Sequence, residues 1–540
     1  MVASLLGSLA WRVFVGIKPA VASVFSSCRT RFKEKRRMQD AVSPLSAIIR
    51  DRSKGLALLV IMLPVLLVTI DNTILNFALP HIAAGLSPSA AEQLWMIDAY
   101  SLVLAGLLVT MGSTGDRLGH RRMLLLGCAG FAAVSLLVAL SQEAWQLIGG
   151  RALLGVFGTM ILPSTLALIR SAFEDREERR VAVAVWATCL TFGSALGPLF
   201  GGVLLEFFDW PVVFLVALPF LLPVLVLAPS LRETALQPGQ RADIPSIVLS
   251  LGAMTGVMLG LKHGATTGLD SQALLFLCAG VAVGVLFVRR QLRVAQPLLD
   301  LRLFRLPAFS VSIAVNLVSL GLLIGFIFFA TQLLQLVFGL SPLLASLILV
   351  PGQVLGIAAG LSIVPVARKV APNRVIAGCL LLGAAAFAVM ALLHASVVSV
   401  CVAFVLLNVS VAAITTVSND LVLSTVPAAS AGSASSVSET AYEVGVVLGT
   451  TLIGGAVAAL YRLSLVLPPG LSEDASKAAD TLGGAHAVGH AGTFDGASAL
   501  LHAVDLAFRA GVEQTSAVVA VVAALFAWVA LRGLRGVSAS

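Results

Sequence analysis

The feature that most constrains this chain is the recurrence, along most of its length, of apolar runs about 20 residues long, each enough to cross the hydrocarbon core of a bilayer as a helix. A transmembrane barrel would show short segments of alternating polarity. Here the runs are continuously apolar, so helices are the expected element. Only 11% of the 540 residues are charged, against about 25% in soluble domains, and the mean hydropathy is +1.00. A water-soluble fold could not bury so much apolar surface.

Fourteen spans are predicted, at 55–79, 93–114, 121–141, 144–169, 181–205, 210–229, 245–262, 271–289, 308–334, 341–366, 373–394, 397–424, 434–461 and 515–532. An even count places both termini on one side. The loops after even-numbered spans, with the tail, hold Arg117, Arg121, Arg122, Arg170, Arg176, Arg179, Arg180, Arg232, Arg241, Arg289, Arg290, Arg293, Arg302, Arg305, Arg368, Lys369, Arg374, Arg532 and Arg535. The loops after odd-numbered spans hold only Lys262, Arg462, Lys477 and Arg509. Basic loops stay in the cytoplasm, so both termini are expected there. The net charge of +8 is accounted for by this topology, and no nucleic-acid partner is implied. The six cysteines include no CxxC pair and read as small packing residues rather than disulfides or metal ligands.

Two segments are not spans. Residues 1–54 combine a moderately apolar start, interrupted by Arg12 and Lys18, with a basic stretch from Arg29 to Arg37. A cleaved signal peptide would carry its charges before its apolar core. The alternatives are an amphipathic surface helix or a start codon assigned too early, since Met38 opens an ordinary lead-in. Residues 463–514 are placed outside; they hold a Pro-Pro-Gly turn at 468–470 and His486, His490 and His502. The histidines lack Cys or paired acids at ligand spacing, so no metal is expected. Apolar residues in 497–508 recur at helical spacing, which suits a short packed helix or hairpin.

An ionisable side chain at a bilayer centre costs about 2.5–3.5 kcal/mol on insertion scales, so each one is a functional candidate. Asp71 lies about 12 Å deep in span 1, Asp98 about 8 Å deep in span 2 and Arg151 about 10 Å deep in span 4, at 1.5 Å per residue. These three share a level. An arginine can hold a carboxylate charged until a proton releases it, which would make a proton-coupling unit; a salt bridge that only locks helices together is the other reading. Glu439 and Glu443 are spaced i, i+4 and share one face of span 13. They are placed in the inner half of the bilayer. Like charges on a dry face repel, which suits a proton relay or capture of a cation; alternatively Glu439 sits near cytoplasmic water. Asp420, toward the cytoplasmic end of span 12, and Glu206 and Asp209, at an outer edge, are weaker candidates.

Several strings carry a family resemblance. The loop Gly112-Ser113-Thr114-Gly115-Asp116-Arg117-Leu118-Gly119-His120-Arg121-Arg122 permits a tight turn between spans 2 and 3. Gly193, Gly197 and Gly201 fall at i, i+4, i+8 beside Pro198 and Gly202, a spacing that lets two helices approach closely. The loop resembles the hallmark loop of the major facilitator superfamily, and the glycine row resembles the antiporter motif of its drug exporters. Arg151-Ala152-Leu153-Leu154-Gly155 is similar to the buried-arginine motif of span 4. The runs Ile70 to Pro80 and Trp95 to Tyr100 are similar to those of the fourteen-helix drug:proton antiporters, and Ala431 to Gly445 resembles the QacA and SmvA type of antiseptic exporters. His120 stands where the family usually has Arg, and Thr114 where it has an apolar residue. The acid of span 10 in QacA-like proteins has no counterpart in 341–366.

The resemblance covers roughly residues 55–532. It implies an all-helical major facilitator fold: a six-helix bundle in 55–230, an inserted helix pair in 231–307 and a second bundle in 308–540. The function implied is efflux of lipophilic cations such as quaternary ammonium compounds, dyes and biguanides from the bacterial inner membrane. Alternating access driven by the proton gradient would power it, with no other cofactor. The expected partners are substrates, protons and the lipid bilayer, and a monomer is expected. An exporter of a cell-envelope lipid or a metabolite is the alternative. No nucleophile–base pair or nucleotide loop argues for an enzyme.

Overall fold

A computed structural model of the chain describes residues 48, 51–233, 243–268, 270–294, 297, 299–367, 369–426, 431–467, 479–491 and 496–535. Nearly all of residues 1–50, with the early-start question and the basic stretch, lies outside them. Among the described residues there is no strand.

The helices are α1 Arg52–Leu86, α2 Ala90–Leu118, α3 His120–Ala139, α4 Ala144–Ala172, α5 Arg176–Phe207 and α6 Val212–Leu227, the last interrupted at Val216. Then come α7 Ile244–Thr267, α8 Ser271–Gln291, α9 Pro307–Gln332 with a π turn at Leu333–Val337, α10 Pro342–Ala367, α11 Pro372–Leu392 and α12 Val397–Ser424. α13 runs from Ala431 to Gly449 and continues through a π turn at Thr450–Gly454 into Gly455–Ser464. α14 Leu482–Ala491 and α15 Ala497–Gly533 close the chain.

Local chemistry sets many of the helix starts. Asp51 caps α1 by accepting from the Ser53 and Lys54 amides, and Ser89 with Glu92 forms a capping box at α2, in each case satisfying amides that the first turn leaves unpaired. Among the described residues twelve helices are long and apolar enough to span a membrane. α2 is bent by 55° near residue 109 and makes thirteen when its halves are counted as one span. Length and composition therefore do not reach the fourteen spans expected; the difference is α6, a shorter apolar helix. The last helix also differs from the reading. It begins at Ala497 rather than near 515, so the last third of the 463–514 segment is an extension of the final span.

α1 packs on α5, α2 on α4, and α3 on α4 and α6. In the second half α9 packs on α13, α10 on α12, and α11 on α12 and α15. The α1–α5 and α2–α4 pairings thus recur eight helices later as α9–α13 and α10–α12, the internal symmetry of many transporter folds. The halves meet through α5 on α10 and α2 on α13, which are the same contact seen from either side of that symmetry. α7 and α8 pack on each other and reach the rest through α7, on α2 and α13.

Glycines permit the tightest contacts. A Cβ on Gly193, Gly197 or Gly201 of α5 would meet Thr69, Thr73 or Ile74 of α1. Across α9 and α13, Gly321 and Gly325 face the backbone of Gly445 and Gly449. The i, i+4, i+8 row is therefore a helix-packing surface, while Gly202 turns to Pro342 and Ser346 of α10 in the other half.

Candidate functional site

The polar contacts between the two halves named here gather at the end of the bundle opposite the basic loops. Gln335 of α9 donates to the Phe77 carbonyl of α1 at 3.2 Å, and the Leu343 amide donates to Glu206 at 3.3 Å. Leu94 of α2 packs where a Cβ on Gly454 would stand. We refer to this as the charge-poor end.

Just inside it, Arg151 of α4 holds Asp71 of α1 at 2.6 Å, with the two side chains 1% and 8% exposed. The guanidinium also donates from Nε to the Met96 carbonyl at 3.3 Å and lies over the Tyr100 ring, 4.5 Å from its centroid. α2 and α4 come this close because Gly155 and Gly158 have no side chain to strike Tyr100. One arginine thus ties three helices, and a desolvated pair with further hydrogen bonds is the form in which buried charges are tolerated.

Asp98 belongs to a different cluster. Its partner is Lys262 of α7, at 2.9 Å, with both side chains sealed from solvent, and Thr451 of the α13 π turn donates to the same carboxylate oxygen at 2.9 Å. The Lys262 ammonium sits 3.7 Å from the centroid of the Trp95 ring. Sequence reasoning missed Lys262 by ending span 7 at that residue and placing it among the loop charges; α7 runs on to Thr267, which keeps the lysine within the span. A lone cation at the last position of an apolar run was the available signal.

Glu439 and Glu443 do share a face of α13, and Glu443 lies near Ser101 and within Coulombic reach of Glu439 and of Arg151. Ser101 donates to Asn72 of α1 at 3.4 Å. The structure thereby brings Glu443 to the level of the Asp71–Arg151 pair, whereas the sequence placed it in the inner half. Both glutamates are only half-buried. A turn away, Asn419 of α12 accepts from Asn316 of α9 and from Ser438 and Tyr442 of α13. Asp420 is exposed.

The hallmark loop is pinned to the end of α6. Arg121 donates to the Pro229 and Leu231 carbonyls at 3.1 and 2.9 Å, and its amide donates to Glu233 at 2.8 Å. Gly119 has φ +97°, and its missing Cβ would overlap the Glu233 carboxyl. Asp116 pairs with the buried His120 at 3.0 Å, and His120 rests on Gly115. Gly112 faces Pro163 of α4; Arg117 and Arg122 are exposed. Pro198 lies within α5. Among the histidines of the charge-poor segment, His486 pairs with Asp505 at 2.9 Å.

Internally repeated membrane helices with charged pairs enclosed at the junction of two halves define a membrane transporter. The profile of the Major Facilitator Superfamily matches residues 61–450, and the chain belongs to that family. It is 49% identical over 86% of its length, and 93% of the relative's, to the multidrug efflux pump LfrA of Mycolicibacterium smegmatis. It is 33% identical to the methyl viologen resistance protein SmvA of Salmonella typhimurium, over 79% of this chain and 88% of that one. With the tetracenomycin C resistance and export protein of Streptomyces glaucescens the identity is 32%, over 88% and 90%. Among solved structures, an inward-facing, unoccupied bacterial homologue of the human lysosomal transporter Spinster superposes with a TM-score of 0.65 at 17% identity, over 90% of this chain and 98% of that one.

Proposed function

We propose that this protein is a multidrug efflux transporter that exports lipophilic cations, quaternary ammonium compounds and dyes among them, in exchange for protons. The observation that carries the reading is the position of Glu443. It stands on the second half, half-buried, and faces Ser101 and the Asp71–Arg151 pair of the first. A carboxylate in such a low-dielectric setting attracts an organic cation far more than it would in water, and a proton arriving there would compete with the cation for the same group. The efflux and resistance relatives support the same reading.

In the proposed cycle the halves α1–α6 and α9–α13 with α15 rock about their junction, and the closure at the charge-poor end corresponds to a state open toward the basic loops. Lipophilic cations enter from that side. Protons reach Asp71, Asp98 and the Glu439–Glu443 pair from the other and drive release. The excess of basic residues in one set of loops supports a reading in which that entry side, and both termini, face the cytoplasm of a bacterial inner membrane. Ethidium efflux from cells, measured with and without an uncoupler, tests this. Export that collapses when the proton gradient is removed is the expected result; export unaffected by the uncoupler, or no export of any cationic dye, refutes it.

A further inference from the structure

The two inserted helices present mostly apolar surface outward, with Val248, Leu274, Leu275 and Val281 exposed. Nothing in the packing of such a pair calls for a buried lysine. Yet α7 carries Lys262 into the junction of the halves, where it meets Asp98 of α2 while Thr451 of α13 holds the same carboxylate. Three separate parts of the molecule therefore converge on one carboxyl group. α7 is held against α2 beyond this point too, since Leu251 occupies the space a side chain on Gly106 would need. At its other end α7 is clamped to α8 by Asp243 and Arg290 at 2.6 Å.

We propose that Lys262 makes the inserted pair a working part of the transporter: with Asp98 and Thr451 it forms a releasable clasp that closes the charge-poor end. The argument turns on what a buried ion pair is good for. It seldom holds two surfaces together better than apolar side chains of the same volume, because both charges have been taken out of water. What distinguishes it is the open state. When the halves part, water regains both charges and offsets much of the lost attraction, whereas parted apolar surfaces gain nothing from water. The cluster is also incompletely satisfied, since Asp98 Oδ1 has no hydrogen-bond partner among the described residues. Lys262 acts through Asp98, as a positioning residue. The Trp95 face beneath it holds the ammonium in place, as aromatic rings do for cations.

The inference rests on the reading that the two halves alternate, and its test needs neither a drug nor a proton gradient. A reporter cysteine replaces Leu94, which is buried at the α2–α13 contact, in a chain whose native cysteines are changed to serine. Its reaction with a water-soluble maleimide is followed on the purified protein in lipid nanodiscs, alongside the melting temperature. The double variant Lys262→Met with Asp98→Leu replaces the clasp by apolar side chains; it should keep or raise the melting temperature and slow labelling about tenfold. Lys262→Arg should label at the parental rate. Thr451→Val removes only the arm from the second half and should speed labelling about tenfold, the effect of losing one hydrogen bond to a charged group. Parental labelling in Thr451→Val, or in a folded double variant, overturns the proposal. Should the double variant fail to fold, Thr451→Val decides alone. Loss of dye efflux with the labelling pattern intact would sink the drug reading and leave the clasp standing.

Discussion

Arg151 and Asp71 stand 2.6 Å apart across α4 and α1, eighty residues distant in the chain, and Glu443 of the other half lies within Coulombic reach of the same guanidinium. Two carboxylates on opposite sides of the junction thus share the field of one arginine. A change of charge at Glu443 would therefore be felt at a residue that ties α1, α2 and α4 together.

Neutralising the first of these carboxylates should uncouple transport. Asp71→Asn is expected to abolish proton-driven efflux while the protein stays folded, because Arg151 keeps its contacts to Met96 and Tyr100. Arg151→Ala should abolish efflux and also lower the melting temperature, since removing one partner of a buried pair costs about 3–5 kcal/mol. Dye efflux from energised vesicles and thermal unfolding in detergent measure both. Wild-type efflux in Asp71→Asn would take this residue out of the mechanism.

Glu443→Gln should weaken export of cationic dyes more than export of neutral drugs, because a nearby charge is worth far more to a cation in a low-dielectric setting than in water. It should also move the pH optimum of transport, since interacting acids titrate as a unit. Glu439→Gln should be milder: Glu443 is the one that feels Arg151 of the other half. Initial efflux rates across pH for one monovalent, one divalent and one neutral substrate decide the matter. Equal losses for all three would assign the pair to proton transfer or folding rather than cation recognition.

Gly119→Ala should loosen the turn between α2 and α3. The backbone there has φ +97° and the new methyl would strike the Glu233 carboxyl. The strain amounts to about 1–3 kcal/mol and would fall on the Arg121 contacts to the end of α6. A lowered melting temperature is expected, with slower transport. Asp116→Asn should be gentler, because Asp116 is exposed and an amide can still bond His120. If Gly119→Ala melts with the parent, the turn does not depend on that backbone geometry.

The charge distribution makes a topological prediction as well. Val466, 80% exposed at the charge-poor end, should react as a cysteine with a membrane-impermeant thiol reagent in intact cells. Labelling only after lysis would reverse the orientation.

Much of this molecule follows from local pattern. Twenty-residue apolar runs must become membrane helices, because lipid offers the backbone no hydrogen bonds, and glycines four residues apart must make a surface on which another helix can lie. The depth of Asp71 and Arg151 along their spans was enough to suggest that they meet, since position along a helix is a matter of counting residues. Counting could not say which neighbour each charge would choose. Asp98 looked equally placed to join Arg151, and the fold instead gives it Lys262, from a helix pair inserted far along the chain. Likewise Glu443 lies deep by sequence in one half, and only the packing of α13 on α2 carries it to Ser101 and Arg151. The rotation of each helix about its own axis, and the choice of neighbour, come from contacts between distant segments. Apolar periodicity carries little of that information in helices that are hydrophobic on every face.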